Sequence, residues 1–304
     1  MNDLLSSILQ GIVEGLTEFL PVSSTAHILL VQDLLGTDRE SPFWKMFAVV
    51  IQLGAILSVV LFFRDRLLGF VKSFWLAWKQ SQTAGNSEHA VVGAANDNPA
   101  QSPIDSPKSK DWKKHPLVLV LLSFVVTALP CLVIDKMIGD NMESSLVIAV
   151  SLIIGAVVML VVDYGFGKNP TTHSMEEISP KQAIAIGLFQ ILAAAFPGTS
   201  RSMSTIIGGQ LFGLSRTVAL EFSFFLAIPV MTAAAGFKLV QFVLKHDLPS
   251  VSEWGNLAAG FVVSFLVAYA VIAWFMSWVR QHGFIPFAIY RFALGLFLLW
   301  TIYG

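Results

Sequence analysis

The sequence predicts an all-α integral membrane protein: six transmembrane helices plus two re-entrant helix–loop–helix hairpins, arranged as an inverted-topology internal repeat. Three observations lead there. Of 304 residues, 55% are hydrophobic and only 13% charged, with a mean hydropathy of +0.70, whereas a soluble globular chain carries about 25% charged residues. Six stretches reach the roughly 20 apolar residues that cross a bilayer. Two further apolar stretches break midway at a proline followed by hydroxyl residues, and they align with each other. This composition excludes a soluble enzyme, a disordered chain and a nucleic-acid binder, and a net charge of −1 exerts no global pull on polyanions. The single cysteine, Cys131, excludes an intramolecular disulfide and a metal site built on paired thiolates.

Along the chain, the first Lys or Arg is Arg39. The basic start of a cleaved signal is missing, so the first apolar stretch is expected in the mature protein. That stretch, 4–35, is too long for one span and is interrupted by Pro21-Val22-Ser23-Ser24-Thr25. Proline halts a helix, and a polar break at membrane depth is tolerated only where it lines a protected cavity. A re-entrant hairpin follows. Spans are expected at about 43–63, 117–135 and 145–163. A second hairpin covers 182–212, broken at Pro197-Gly198-Thr199-Ser200-Arg201-Ser202, and spans at about 218–239, 255–278 and 286–303 complete the chain. Residues 80–112, rich in Ser, Asn, Pro, Lys and Asp, read as a flexible cytoplasmic loop with nothing to bury.

A shift of 176 residues lays the first hairpin on the second without a gap: Gly11 on Gly187, Glu14 on Gln190, Glu18 on Ala194, Pro21 on Pro197, Ser23 on Thr199 and Ser24 on Ser200. Six aligned positions in order indicate a duplication, each half being a hairpin followed by three spans. Within a single membrane domain, 1–304, the repeats run about 1–135 and 180–303, with 145–163 connecting them. An odd number of spans per half inverts the second half and places the site at mid-membrane on the pseudo-axis. With both termini outside, the inner loops hold 12 of the 19 Lys and Arg residues and the outer segments 5, namely Arg39, Lys45, Lys136, Lys238 and Lys245. This is the expected positive-inside bias.

Ionisable groups at membrane depth mark function. Glu14 and Glu18, four apart, share a helix face and suit either a hard divalent cation or acid–base work. His27 follows three hydroxyls and suits proton transfer or a nucleophilic role. Gly198, Thr199, Ser200, Arg201 and Ser202 combine close backbone approach, hydroxyls and a planar fork suited to phosphate. A helix starting after that loop would add free N–H groups. Arg291 also lies within a span. Glu221, expected to reach water or Arg216, and Lys238, expected to snorkel, are weaker candidates.

These residues resemble the undecaprenyl-diphosphate phosphatase family of bacterial inner-membrane proteins linked to bacitracin resistance. Three blocks carry the likeness: Glu14 through His27, Phe47 through Gly54, and Phe196 through Ser202 with Glu221 through Pro229 downstream. The resemblance implies hydrolysis of undecaprenyl diphosphate to undecaprenyl phosphate and inorganic phosphate, supplying the lipid carrier for peptidoglycan. It implies catalytic roles for Glu18, Ser24, His27 and Arg201. Phosphate contacts would come from Ser23, Thr25, Gly198, Thr199, Ser200, Arg201 and Ser202. A divalent cation, Mg2+ or Ca2+, would sit at Glu14 and Glu18. The nucleophile stays open among Ser24, His27 and water. The expected partners are a polyprenyl diphosphate and membrane lipid, without nucleic acid, and a homodimer is a candidate assembly. The chain has Ala26 and Met203 where the family commonly has glycine, and Ala48 where it often has glutamate. The competing reading is a lipid-phosphate transporter or flippase, since inverted repeats with broken helices are also a transporter pattern.

Overall fold

The computed structural model describes residues 2–91, 112–138, 144–167 and 169–304. Eleven α-helices account for nearly all of them: α1 (Asp3–Thr17), α2 (Ser24–Leu35), α3 (Pro42–Phe62), α4 (Arg64–Val91), α5 (Pro116–Ile138), α6 (Ser145–Gly165), α7 (Pro180–Ala195), α8 (Arg201–Leu211), α9 (Arg216–Lys245), α10 (Val251–His282) and α11 (Ile285–Tyr303). Among the described residues the only β pairing is a single bridge between Thr172 and Leu214. Six of these helices, α3, α5, α6, α9, α10 and α11, are long and apolar enough to cross a membrane. They match the six expected spans.

Local chemistry sets the helix starts. Asn2 caps α1 by accepting from the Leu4 N–H at 3.0 Å. Ser179 with Gln182 and Ser250 with Glu253 form capping boxes at α7 and α10, each satisfying two otherwise orphaned donors. Pro42 and Pro180 occupy first-turn positions, where a missing N–H costs nothing. The 80–112 loop expectation is corrected in part, because α4 continues to Val91. No proline or paired glycine interrupts 80–91, so the helix propagates past the point where apolar content falls. Residues 92–111 lie outside the described residues. Before that point α4 exposes Leu68, Val71 and Trp75 among Arg64, Arg66 and Lys72, the pattern of a helix lying at a membrane surface.

The packing is paired between halves. Helix α1 packs on α2 and on α10, while α7 packs on α8 and on α5. Helices α3 and α9 pack together, as do α6 and α11. Small residues make the matched contacts close: a Cβ at Gly11 would lie 2.6 Å from the Gly260 carbonyl oxygen, and one at Gly187 would lie 2.8 Å from that of Ser123. Gly11 and Gly187 are the same position in the 176-residue overlay. Close helix approach through small residues replaces the hydrophobic drive that lipid surroundings remove.

Candidate active site

Each hairpin breaks where proline forbids the next turn, and each break ends in a strained serine. In the first, Glu18 keeps helical angles (φ −60°, ψ −44°) and its N–H still reaches the Glu14 carbonyl. Glu14 and Glu18 therefore keep the common face their spacing predicts. Ser23 then takes φ 73° and caps α2 through its hydroxyl, which accepts from the Ala26 N–H. In the second, Gly198 sits at φ 89°, where a Cβ would lie 2.7 Å from the Ile148 carbonyl oxygen. Ser200 takes φ 73° and caps α8 through the Met203 N–H. Among the described residues Ser23 and Ser200 are the two non-glycine positions at positive φ. Such a backbone costs on the order of 1–3 kcal/mol each.

The caps correct the gapless overlay. The structural mates are Ser23 with Ser200 and Ser24 with Arg201, a shift of 177 rather than 176. The second loop carries one extra residue after its proline, because the capping serine must sit where the next helix begins. His27 then matches Ser204. Both donate to the carbonyl of the strained serine, His27 Nδ1 to Ser23 at 2.7 Å and Ser204 Oγ to Ser200 at 3.0 Å. The two loops share a skeleton and differ in chemistry. One holds Glu14, Glu18 and Ser24, and the other holds Gln190, Ala194 and Arg201 at the matching places.

The loops meet at Glu18. The Ser24 hydroxyl donates to Glu18 Oε2 at 2.6 Å, and Arg201 Nη2 donates to Glu18 Oε1 at 3.3 Å. Arg201 Nη1 also donates to the Ser223 carbonyl of α9 at 3.0 Å. Its Nε is buried without a hydrogen-bond partner. One carboxylate thus binds a hydroxyl with one oxygen and a guanidinium with the other, and both charged side chains are largely buried, where charge interactions are stronger than in water. The group opens on a cavity of about 470 Å³.

Of the predicted residues, Glu14, Glu18, Ser23, Ser24, Thr25, Gly198, Ser200 and Arg201 all line that cavity. Thr199, Ser202 and His27 do not. Thr199 faces an apolar groove of about 560 Å³ between α6, α7 and α8. Ser202 is buried, and its hydroxyl donates to the Leu20 carbonyl at 3.0 Å, tying the loops together. His27 borders a second apolar groove, of about 780 Å³, between α1, α10 and α11. Its Nδ1–H is spent on the Ser23 carbonyl, which fixes the tautomer. Nε2 accepts from the Tyr290 hydroxyl at 2.7 Å. Both ring nitrogens are occupied away from the cavity.

The sequence reading missed part of the wall. Arg39, Lys45, Lys238 and Gln52 line the same cavity, so Lys238 is a wall residue as well as an exposed one. The signal was present: Arg39, Lys45 and Lys238 are three of the five cations expected on one side of the membrane. Glu221 pairs with Arg66 at 2.7 Å rather than with Arg216, which binds Asp163 at 2.7 Å. Arg291 is completely buried and holds backbone carbonyls of both loops.

These features define a polytopic helical membrane protein whose polar site is assembled from two broken helices. The family model described as Bacitracin resistance protein BacA matches residues 7–297, and the chain belongs to that family. It is similar to the undecaprenyl-diphosphatase of Koribacter versatilis, with 43% identity covering 99% of both chains. It is also similar to that of Caldanaerobacter subterraneus, with 36% identity over 99% of this chain and 97% of the relative. The undecaprenyl-diphosphatase of Lacticaseibacillus paracasei is 36% identical over the full length of both.

Proposed function

We propose that this multi-pass membrane protein is an undecaprenyl-diphosphatase. It hydrolyses undecaprenyl diphosphate to undecaprenyl phosphate and inorganic phosphate, which returns the lipid carrier to peptidoglycan synthesis and underlies bacitracin resistance. The observation that carries the reading is the Ser24–Glu18–Arg201 group, assembled from both hairpins in one cavity. Relatives named for this activity, aligned along their full length, agree with it.

The terminal phosphate enters past Arg39, Lys45 and Lys238. Arg201 moves its hydrogen bond from Glu18 to the phosphoryl oxygens, and the first-turn N–H groups of α8 that Ser200 does not cap add theirs. Ser24 Oγ attacks the terminal phosphorus and passes its proton to Glu18. The bond from that phosphorus to the bridging oxygen breaks, that oxygen takes the proton from Glu18, and undecaprenyl phosphate leaves with Glu18 again ionised. Water then attacks the phosphoserine and gives a proton to Glu18; the Oγ–phosphorus bond breaks, Glu18 returns the proton to Ser24 Oγ, and inorganic phosphate leaves. The geometry favours Ser24 over His27 as nucleophile, because only Ser24 combines a carboxylate partner with the cavity. The apolar grooves beside the loops suit a polyprenyl tail.

The donors fit a hard divalent cation. Glu14 Oε1 is buried without a hydrogen-bond partner, and the Glu14 and Glu18 carboxylates line the same cavity as the Ser24 hydroxyl. Among the described residues no group of three or more His, Cys, Asp or Glu side chains gathers. Mg2+ or Ca2+ held by Glu14 and Glu18 would therefore share its coordination with water or phosphate oxygens, and it would neutralise phosphate charge.

The hairpins are re-entrant and the halves inverted in this proposal. The paired packing of α1 on α10 and α7 on α5 supports it, as do the matched capping serines. The setting is the bacterial inner membrane, with the cavity facing the periplasm and 80–112 cytoplasmic. The distribution of Lys and Arg supports that orientation. In intact spheroplasts, a cysteine at Ser102, in a background lacking Cys131, should resist an impermeant thiol reagent; ready labelling would reverse the orientation. A transporter would use Arg201 and the grooves but has no need of the Ser24–Glu18 hydrogen bond. The deciding experiment is phosphate release from a polyprenyl diphosphate by purified protein in detergent, with and without chelator. Binding without release would favour transport.

A further inference from the structure

Arg291 on α11 is the largest fully buried side chain among the described residues. It does not line the cavity, and no carboxylate among the described residues forms an ion pair with it. Its two terminal nitrogens are spent on backbone, while Nε is buried without a hydrogen-bond partner. Nη1 donates to the Pro21 carbonyl at 3.2 Å, and Nη2 donates to those of Gly198 at 3.1 Å and Ser151 at 3.4 Å. A buried cation without a counter-ion is costly, so its surroundings must return something for it.

What it holds is specific. Pro21 lies midway between Glu18 and Ser24, three residues from each. Gly198 lies three residues before Arg201. One planar fork therefore joins the middle of the loop carrying the base and nucleophile to the middle of the loop carrying the phosphate-binding arginine. The backbone leaves room for it: a Cβ at Gly155 of α6 would lie 2.4 Å from Arg291 Nη2. Lysine cannot reproduce the grip, because a single ammonium lacks the fixed fork.

We propose that Arg291 is a positioning residue that sets the register of the two loops, so that Ser24, Glu18 and Arg201 stand in reacting geometry. The proposal rests on the phosphatase reading of that site. Substrate never touches Arg291, so its loss acts on the chemical step rather than on binding.

The test uses the full chain in detergent, with two variants and two readouts. Arg291→Lys should lower kcat by about 10²-fold, the scale of an ångström-level misplacement, with KM close to that of the wild type. Amide deuterium uptake should rise together in peptides covering 18–26 and 196–203 and stay unchanged in α5 and α10. Gly155→Ala, which crowds the guanidinium without removing it, should give the same signature more weakly. The two substitutions together should be less than additive. If Arg291→Lys does not fold, Gly155→Ala decides by the same two readouts. Wild-type kcat with unchanged uptake in both loops overturns the proposal. So does uptake that rises evenly across the chain, which would make Arg291 a general structural residue. If the wild type releases no phosphate, the phosphatase reading fails while the uptake arm still judges the clamp.

Discussion

Glu18→Gln separates charge from shape at the point where the loops meet. Glu18 accepts from Ser24 at 2.6 Å and from Arg201 at 3.3 Å. Glutamine keeps the length and one acceptor oxygen, so it can still accept from Arg201, and the fold should survive. It places an amide where the second carboxylate oxygen stood, and an amide cannot take the Ser24 proton. General-base catalysis contributes about 10²–10⁴-fold, or roughly 2.7–5.4 kcal/mol at 1.36 kcal/mol per decade. A kcat loss in that range is expected, with KM changed far less because Arg201 remains. The assay is phosphate release from a polyprenyl diphosphate in detergent, with folded protein quantified by size exclusion. A kcat within threefold of wild type would refute Glu18 as the base. Ser24→Ala supplies the companion measurement. Activity near wild type in that variant would move the nucleophile to water.

Arg201→Lys should lose at least about 10²-fold in turnover, the scale of one transition-state donor, because a point charge lacks the fork; near-normal rates in Arg201→Ala would remove the phosphate site. Tyr290→Phe deletes only the hydroxyl that binds His27 Nε2. The loss of one such hydrogen bond, about 1 kcal/mol, should cost about 5-fold or less in kcat, whereas a loss as large as that of Ser24→Ala would return His27 to the chemistry. Glu14→Gln should raise the divalent-cation concentration needed for half-maximal rate, because hard cations prefer anionic oxygen. An unchanged titration would show that Glu14 is not a ligand.

The sequence determined the solvent and the spans, and it named most of the polar residues that line the candidate site. Burial in lipid demands about 20 apolar residues per crossing, so the six spanning helices were legible as composition. Prolines cannot continue a helix, so both breaks were legible as well. Ionisable groups at membrane depth are costly enough to be few, which singled out Glu14, Glu18, His27 and Arg201 as candidates, while Ser24 entered through the family resemblance. Tertiary structure decided which polar groups share a space. His27, Thr199 and Ser202 stand beside true cavity residues in sequence. A positive-φ serine turns the chain at each loop, however, and distant partners take those side chains instead: Tyr290 for His27, and the Leu20 carbonyl for Ser202. Lys45 and Lys238 come from α3 and α9, whose packing carries them to one wall. Arg291 looks like one more cation in a span until the fold brings carbonyls from three separate segments to its fork. Sequence fixes what each short segment must avoid exposing, a local property. Which distant group satisfies it depends on how the helices pack, and that is settled only when all of them are in place.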